Sequence, residues 1–87
     1  MQGLTALADP TRRRIVGMLA TGTMSSGDIA RRFNVSAPAI SQHLKILRDA
    51  KLVRVRTQAQ KRIYELDPEG MGALADWITQ ILSLRAS

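Results

Sequence analysis

The chain has no cysteine, which excludes disulfides, thiolate metal sites and thiol-based redox sensing and fits a reducing compartment. Aromatic residues are only 3% of its 87 residues, too few for a surface that stacks single-stranded bases. Its one histidine, His43, cannot build a zinc site, which needs roughly three or four nitrogen, sulfur or oxygen ligands. No apolar run approaches the roughly 18 residues that cross a bilayer, and no secretory signal pattern opens the chain. Membrane insertion is therefore not expected, and a cytoplasmic location is. Proline and glycine are few and scattered, without a low-complexity tract, a repeat or a domain linker. There is no phosphate-cradling glycine loop, no Ser/His/Asp or Cys/His set and no pair of catalytic carboxylates. The chain does not read as an enzyme, and no catalytic residue, metal or cofactor is expected.

What is present is a small basic chain whose charge is uneven. From Arg31 to Tyr64 there are nine Lys or Arg against one acid, Asp49, whereas from Glu65 onward four acids face only Arg85. The formal net charge of +6 would suit any anionic partner, but this distribution places the attraction in the middle of the chain. The length suits one domain over residues 1–87 that buries only a modest fraction of its surface, so a second copy would add to its stability.

Local signals divide the chain into helices and one hairpin. Gly3 to Ala8 is expected to form a short helix presenting Leu4 and Leu7. Asp9 then caps a second helix with Pro10 at its first position. That helix should run to about Ala20, with Ile15, Met18 and Leu19 inward, Arg12, Arg13 and Arg14 largely outward, and Gly22 marking its end. Ser25 and Asp28 have the spacing of a capping box for a third helix, whose Ile29, Ala30 and Phe33 pack inward. Asn34 is a candidate left-handed stop and Val35 a plug between helices. Ser36 caps the fourth helix, where Ile40, Leu44 and Leu47 make one apolar stripe. At about 100° per residue, Pro38, Gln42 and Lys45 lie opposite that stripe, with Ser41 on its flank.

After Ala50 the period becomes alternating: Val53 and Val55 point one way, Arg54 and Arg56 the other, and Lys61 to Leu66 return. The expected fold is mainly α with a two-stranded β wing: helices, the hairpin, and then a C-terminal helix opened by Asp67-Pro68-Glu69. In that last helix, apolar residues including Met71, Leu74, Ile78, Ile81 and Leu82 cover about half the circumference, more than the stripe just over 100° wide that one small domain covers. Together with Leu4 and Leu7 they are the candidate dimer interface.

The outward residues of the fourth helix suit duplex DNA. Gln42 can bond adenine in a bidentate manner, Ser41 can serve several bases, and Pro38 and Ala39 can touch a thymine methyl. Ser36 at the cap, His43 on the flank and Lys45 join them as candidate contacts, with His43 placed for packing or a phosphate. Arg54, Arg56, Lys61 and Arg62 on the wing would hold the backbone or minor groove. The rival reading is a winged-helix module used for protein or RNA contact, and the low aromatic content and the groove-suited Ser41, Gln42 and Lys45 weigh against it.

Several segments resemble ArsR/SmtB-type transcriptional repressors: Leu7-Ala-Asp-Pro-Thr-Arg-Arg-Arg-Ile15, Asp28-Ile-Ala-Arg-Arg-Phe33, the run Val35 to Ala50 with Ser-Gln-His-Leu at its centre, and Tyr64-Glu-Leu-Asp-Pro68. The likeness covers Leu4 to about Leu82. It implies a homodimer joined through the first and last helices that occupies a palindromic operator, as an autorepressor or at another promoter, until an inducer or a sequestering protein partner releases it. The chain departs from metal-sensing members, which carry cysteines in the third helix or Asp/His pairs in the last. It also has Lys51, and no glycine at the wing tip, where the family often has glycine.

Overall fold

Four short polar side chains start four of the helices, and most of the architecture follows from where they stand. The computed structural model describes residues 1–86. Its elements are α1 (Gln2–Ala6), α2 (Pro10–Leu19), β1 (Met24–Ser25), α3 (Ser26–Arg31), α4 (Ala37–Asp49), β2 (Val53–Gln58), β3 (Lys61–Leu66) and α5 (Pro68–Ala86). Asp9 accepts from the Arg12 backbone N–H at 3.0 Å, Ser25 from Asp28 at 3.1 Å and Ser36 from Ala39 at 3.2 Å. The Asp67 carboxylate accepts from the Glu69 N–H at 3.0 Å. Each such cap satisfies a backbone donor that the first turn leaves over and contributes about 1 kcal/mol.

The core is one cluster in which Ile15 and Leu19 of α2, Ile29 of α3, and Ile40, Leu44 and Leu47 of α4 meet Leu52, Val53 and Tyr64 beneath the sheet. Ala6 and Leu74 extend the cluster to α1 and α5. The sheet has three antiparallel strands in the order β1-β3-β2. The expected two-stranded wing is thus corrected by one strand, since Met24 pairs with Tyr64 and Ser25 with Ile63. A two-residue strand is too short to show any period, and only its partner across the sheet defines it.

The turn between α3 and α4 also differs from expectation. Asn34 is not left-handed, and Val35 is 48% exposed rather than plugging the core. Phe33 takes the inward position, half-buried against the cluster. The guanidinium of Arg14 lies 4.6 Å over its ring, and Arg14 Nη2 donates to the Arg32 carbonyl at 3.2 Å. The arginine therefore pins the turn from α2, combining a cation–π contact with a helix-end carbonyl. Similarly, Arg12 reaches back from α2, its Nε donating to the Ala6 carbonyl at 2.6 Å.

Among the described residues the left-handed positions are Lys51, with φ of +63°, and Ala59, with φ of +56°. Lys51 follows α4: its N–H bonds the Arg48 carbonyl at 3.0 Å and the Leu52 N–H bonds that of Leu47 at 3.0 Å. That pair of bonds is a Schellman ending with lysine where glycine is the usual residue. The start of α5 packs directly on it. Gly70 N–H donates to the Lys51 carbonyl and Asp67 N–H to the Leu52 carbonyl, both at 2.9 Å. A Cβ on Gly70 would overlap the Lys51 carbonyl oxygen and lie 3.0 Å from that of Ala50.

Two substitutions test this junction by urea denaturation. Gly70→Ala forces backbone apart and is expected to cost about 3 kcal/mol. Lys51→Gly relieves the left-handed strain and is expected to add about 0.5–1 kcal/mol, less than the full strain because glycine also frees the unfolded chain. A Gly70→Ala variant with the wild-type midpoint would show that the two segments are not held in contact.

Candidate nucleic-acid interface

The buried stripe of α4 fixes which of its residues look outward. With Ile40, Leu44 and Leu47 in the core, Pro38, Ser41, Gln42 and Lys45 are exposed and Ala39 is half-exposed. Ser36 is exposed as well, with its hydroxyl committed to the cap of α4. Lys45 pairs with Asp49 at 3.2 Å, an exposed ion pair whose lysine stays available to a stronger anion. Ala37, Pro38, Ser41, Gln42 and Lys45 line a shallow concavity on the outer side of the helix.

His43 points the other way, toward α2. Its Nδ1 lies 3.3 Å from Arg12 Nη1 and 3.9 Å from Asp9 Oδ2, and the side chain is half-buried. Arg12 thereby touches the end of α1 and the middle of α4 at once. The carboxyl of Asp9 is held below its ordinary value of 3.8, first by the Arg12 backbone hydrogen bond, which outweighs an opposing burial effect, with the neighbouring His43 and Arg12 side chains lowering it further.

Strand register divides the wing cations between two faces. Arg54 opposes Glu65, Arg56 opposes Ile63 and Gln58 opposes Lys61, and directly opposed residues share a face. Arg54, Arg56 and Lys61 therefore lie on the outer face. Arg62 opposes Thr57 and shares the inner face with Tyr64, beside α4. Arg54 donates to Glu65 at 3.1 Å, and Arg56 to the Gln58 side chain at 2.8 Å. Sequence reasoning grouped these four cations because alternation alone does not say which side of a hairpin packs on a helix. It also passed over Arg48, whose spacing from Ser41 and Lys45, at i, i+4 and i+7, places all three on one stripe.

The candidate dimer residues fall into two groups. Leu74 is buried, packed where Gly3 leaves room between α1 and α5, and Met71 and Leu7 are half-buried on the core. Leu4, Ile78, Ile81 and Leu82 are exposed, as are Trp77 and Leu84. Every residue from Ala75 to Arg85 is exposed, so more than half of α5 runs clear of the domain that carries it. Its 19 residues span about 28 Å, and the long axis measures 50 Å. Among the described residues no helix is long and apolar enough to cross a membrane.

Comparison with known proteins agrees with this layout. A helix-turn-helix domain family matches residues 7–56, the span from α2 to the first half of the wing. The HTH-type transcriptional regulator Rv2034 of Mycobacterium tuberculosis is 54% identical over 69 residues, covering 79% of this chain but only 64% of its own length. The transcriptional repressor SdpR of Bacillus subtilis is 37% identical over 78 residues, covering 90% of this chain and 87% of the repressor. A crystal structure of an ArsR family transcriptional regulator superposes with a TM-score of 0.87 at 29% identity, covering 99% of this chain and 89% of that one.

The Asp9 cap gives a pH test. A depressed folded-state pKa means that the stabilisation is fully present above the unfolded value and is lost as pH falls through 3.8 and then through the lower folded value. Asp9→Asn keeps a capping acceptor but does not titrate. Its stability is expected to fall less steeply than wild type below pH 3.8 in thermal melts, and equal acid slopes would remove Asp9 from the account.

Proposed function

The chain belongs to the ArsR family of winged helix-turn-helix transcriptional regulators, and we propose that it acts as a homodimeric repressor that occupies a palindromic operator. The observation that carries this reading is the exposed Ser41, Gln42 and Lys45 face of α4, lying beside a cation-rich wing in the basic part of the chain. Gln42 reads a base, Ser41 and Lys45 support it, and Pro38 and Ala39 supply an apolar touch. Arg54, Arg56 and Lys61 hold the sugar-phosphate backbone, which positions the protein without specifying sequence. His43 acts indirectly, holding α4 against α2. The name of SdpR, a transcriptional repressor, supports repression as the direction of regulation. The reading involves no catalysis and places the protein in the cytoplasm, with its DNA.

Dimerisation follows from the exposed length of α5. Ile78, Ile81 and Leu82 stand clear of the domain with Leu4 nearby on α1, and a second copy related by a two-fold axis would cover them. Such a pair sets two recognition helices about 34–36 Å apart, one turn of DNA. Leu74, Met71 and Leu7 support that surface from within the protomer. Residues 1–87 thus serve as one DNA-binding unit with the terminal helices at its two-fold interface. Release comes from an inducer or a sequestering protein.

Sedimentation and operator titration test assembly together. Ile78→Asp would bury an unpaired carboxylate, costing several kcal/mol, and is expected to give a monomer that has lost most of its specific affinity. A wild-type monomer that binds one half-site tightly would defeat the proposal. Readout is tested separately. Gln42→Ala should cost about 1–3 kcal/mol on the preferred site and relax one base position, whereas Lys61→Ala should weaken all duplexes alike and lower the salt slope by about one. Unchanged affinity and preference in Gln42→Ala would refute its role.

A further inference from the structure

Between α3, α4 and β3 lies a cleft of about 240 Å³ lined by Ser26, Ser41, Lys45, Arg48, Arg62 and Tyr64. Three different elements converge on it. Ser41, Lys45 and Arg48 form one stripe of α4, and Arg62 and Tyr64 alternate on the inner face of β3. Ser26 opens α3, next to Ser25 and its pairing with Ile63. The lining holds three cations and three hydroxyls, and no acid. Lys45 is paired with Asp49, while Arg48 and Arg62 have no protein acceptor among the described residues.

Tyr64 is the most informative member. The residue is 5% exposed and its hydroxyl has no protein partner, yet among the described residues no buried side-chain nitrogen or oxygen is left without one. The hydroxyl must therefore keep solvent access, and the cleft is the opening that Tyr64 lines. A nearly buried phenol that lines one cleft with two uncommitted guanidinium groups is a donor set for an oxyanion.

We infer that this cleft seats one phosphodiester of the DNA backbone in each half-site. The inference rests on the DNA-binding reading above and adds Arg48, Tyr64 and Ser26 to Arg62 as the groups that set the register of the recognition helix. The assignment to a backbone phosphate, rather than a free anion, follows from position. Ser41 and Lys45 belong both to the cleft and to the outward face that carries Gln42, so an anion held there lies within one helical turn of the base-reading side chain. A phosphate contact at that place fixes how far Gln42 enters the groove.

The test uses a duplex that wild type retains from a random pool, resynthesised with single neutral methylphosphonate linkages. Tyr64→Phe keeps the buried ring and removes only the hydroxyl, and Arg48→Ala removes one cation; circular dichroism verifies that both are folded. Arg48→Ala is expected to bind about tenfold more weakly with a salt slope lower by about one, and Tyr64→Phe about threefold more weakly. At one linkage in each half-site, neutralising the phosphate should weaken wild type and leave Tyr64→Phe with no further loss. Losses that add at every linkage, or variants that bind like wild type, overturn the inference while leaving the DNA-binding reading intact. Inorganic phosphate that saturates the Tyr64 resonances at constant ionic strength, with duplex affinity unchanged in both variants, would assign the cleft to a free anion and overturn it also. A wild type that retains no duplex defeats both readings.

Discussion

The junction where α4 ends and α5 begins sets the geometry of everything else. Two backbone hydrogen bonds, Gly70 to Lys51 and Asp67 to Leu52, lock the start of the last helix onto the turn that closes the recognition helix. The approach is so close that no side chain fits at position 70. Backbone contacts of this kind leave little freedom of angle, since buried donors and acceptors must stay paired. The direction of α5 is therefore tied to that of α4. If α5 joins two protomers, the spacing of two recognition helices is decided at Lys51 and Gly70, far from either surface.

Arginines complete the frame from the opposite side. Arg12 joins the end of α1 to His43 on α4, and Arg14 closes the turn between α3 and α4. Both belong to α2, whose cap at Asp9 stands in the same group of side chains. A domain with so small a core gains from such ties, because each satisfies helix-end carbonyls that apolar packing cannot. The exposed half of α5 is the other consequence of size. Apolar side chains from Trp77 to Leu84 exceed what the domain can cover, and an uncovered patch of that kind marks an interface.

The helices and their outward faces were legible in the sequence wherever the cause was local. Asp9, Ser25, Ser36 and Asp67 cap helices through their own short side chains, and Ile40, Leu44 and Leu47 announce the buried side of α4 by their spacing. What could not be read depended on contacts far along the chain. Met24 and Ser25 become a strand only because β3 passes beside them, and Val35 is displaced from the core by Phe33, which Arg14 holds from α2. Lys51 and Ala59 adopt left-handed conformations without the glycine that would have announced them. Arg62 parts from the other wing cations through strand register, which also brings Tyr64 and Arg48 into one cleft. Residue spacing on α4 alone hinted at that cleft.

The central claim is that a two-fold pair of these domains reads duplex DNA through α4. Sequencing the duplexes that the protein retains from a random pool tests it most directly. The account predicts an enriched inverted repeat whose half-sites are centred about 10 base pairs apart, one helical turn, as two recognition helices joined through α5 require. Enrichment of a single unrepeated site, or no enrichment over the starting pool, would contradict it.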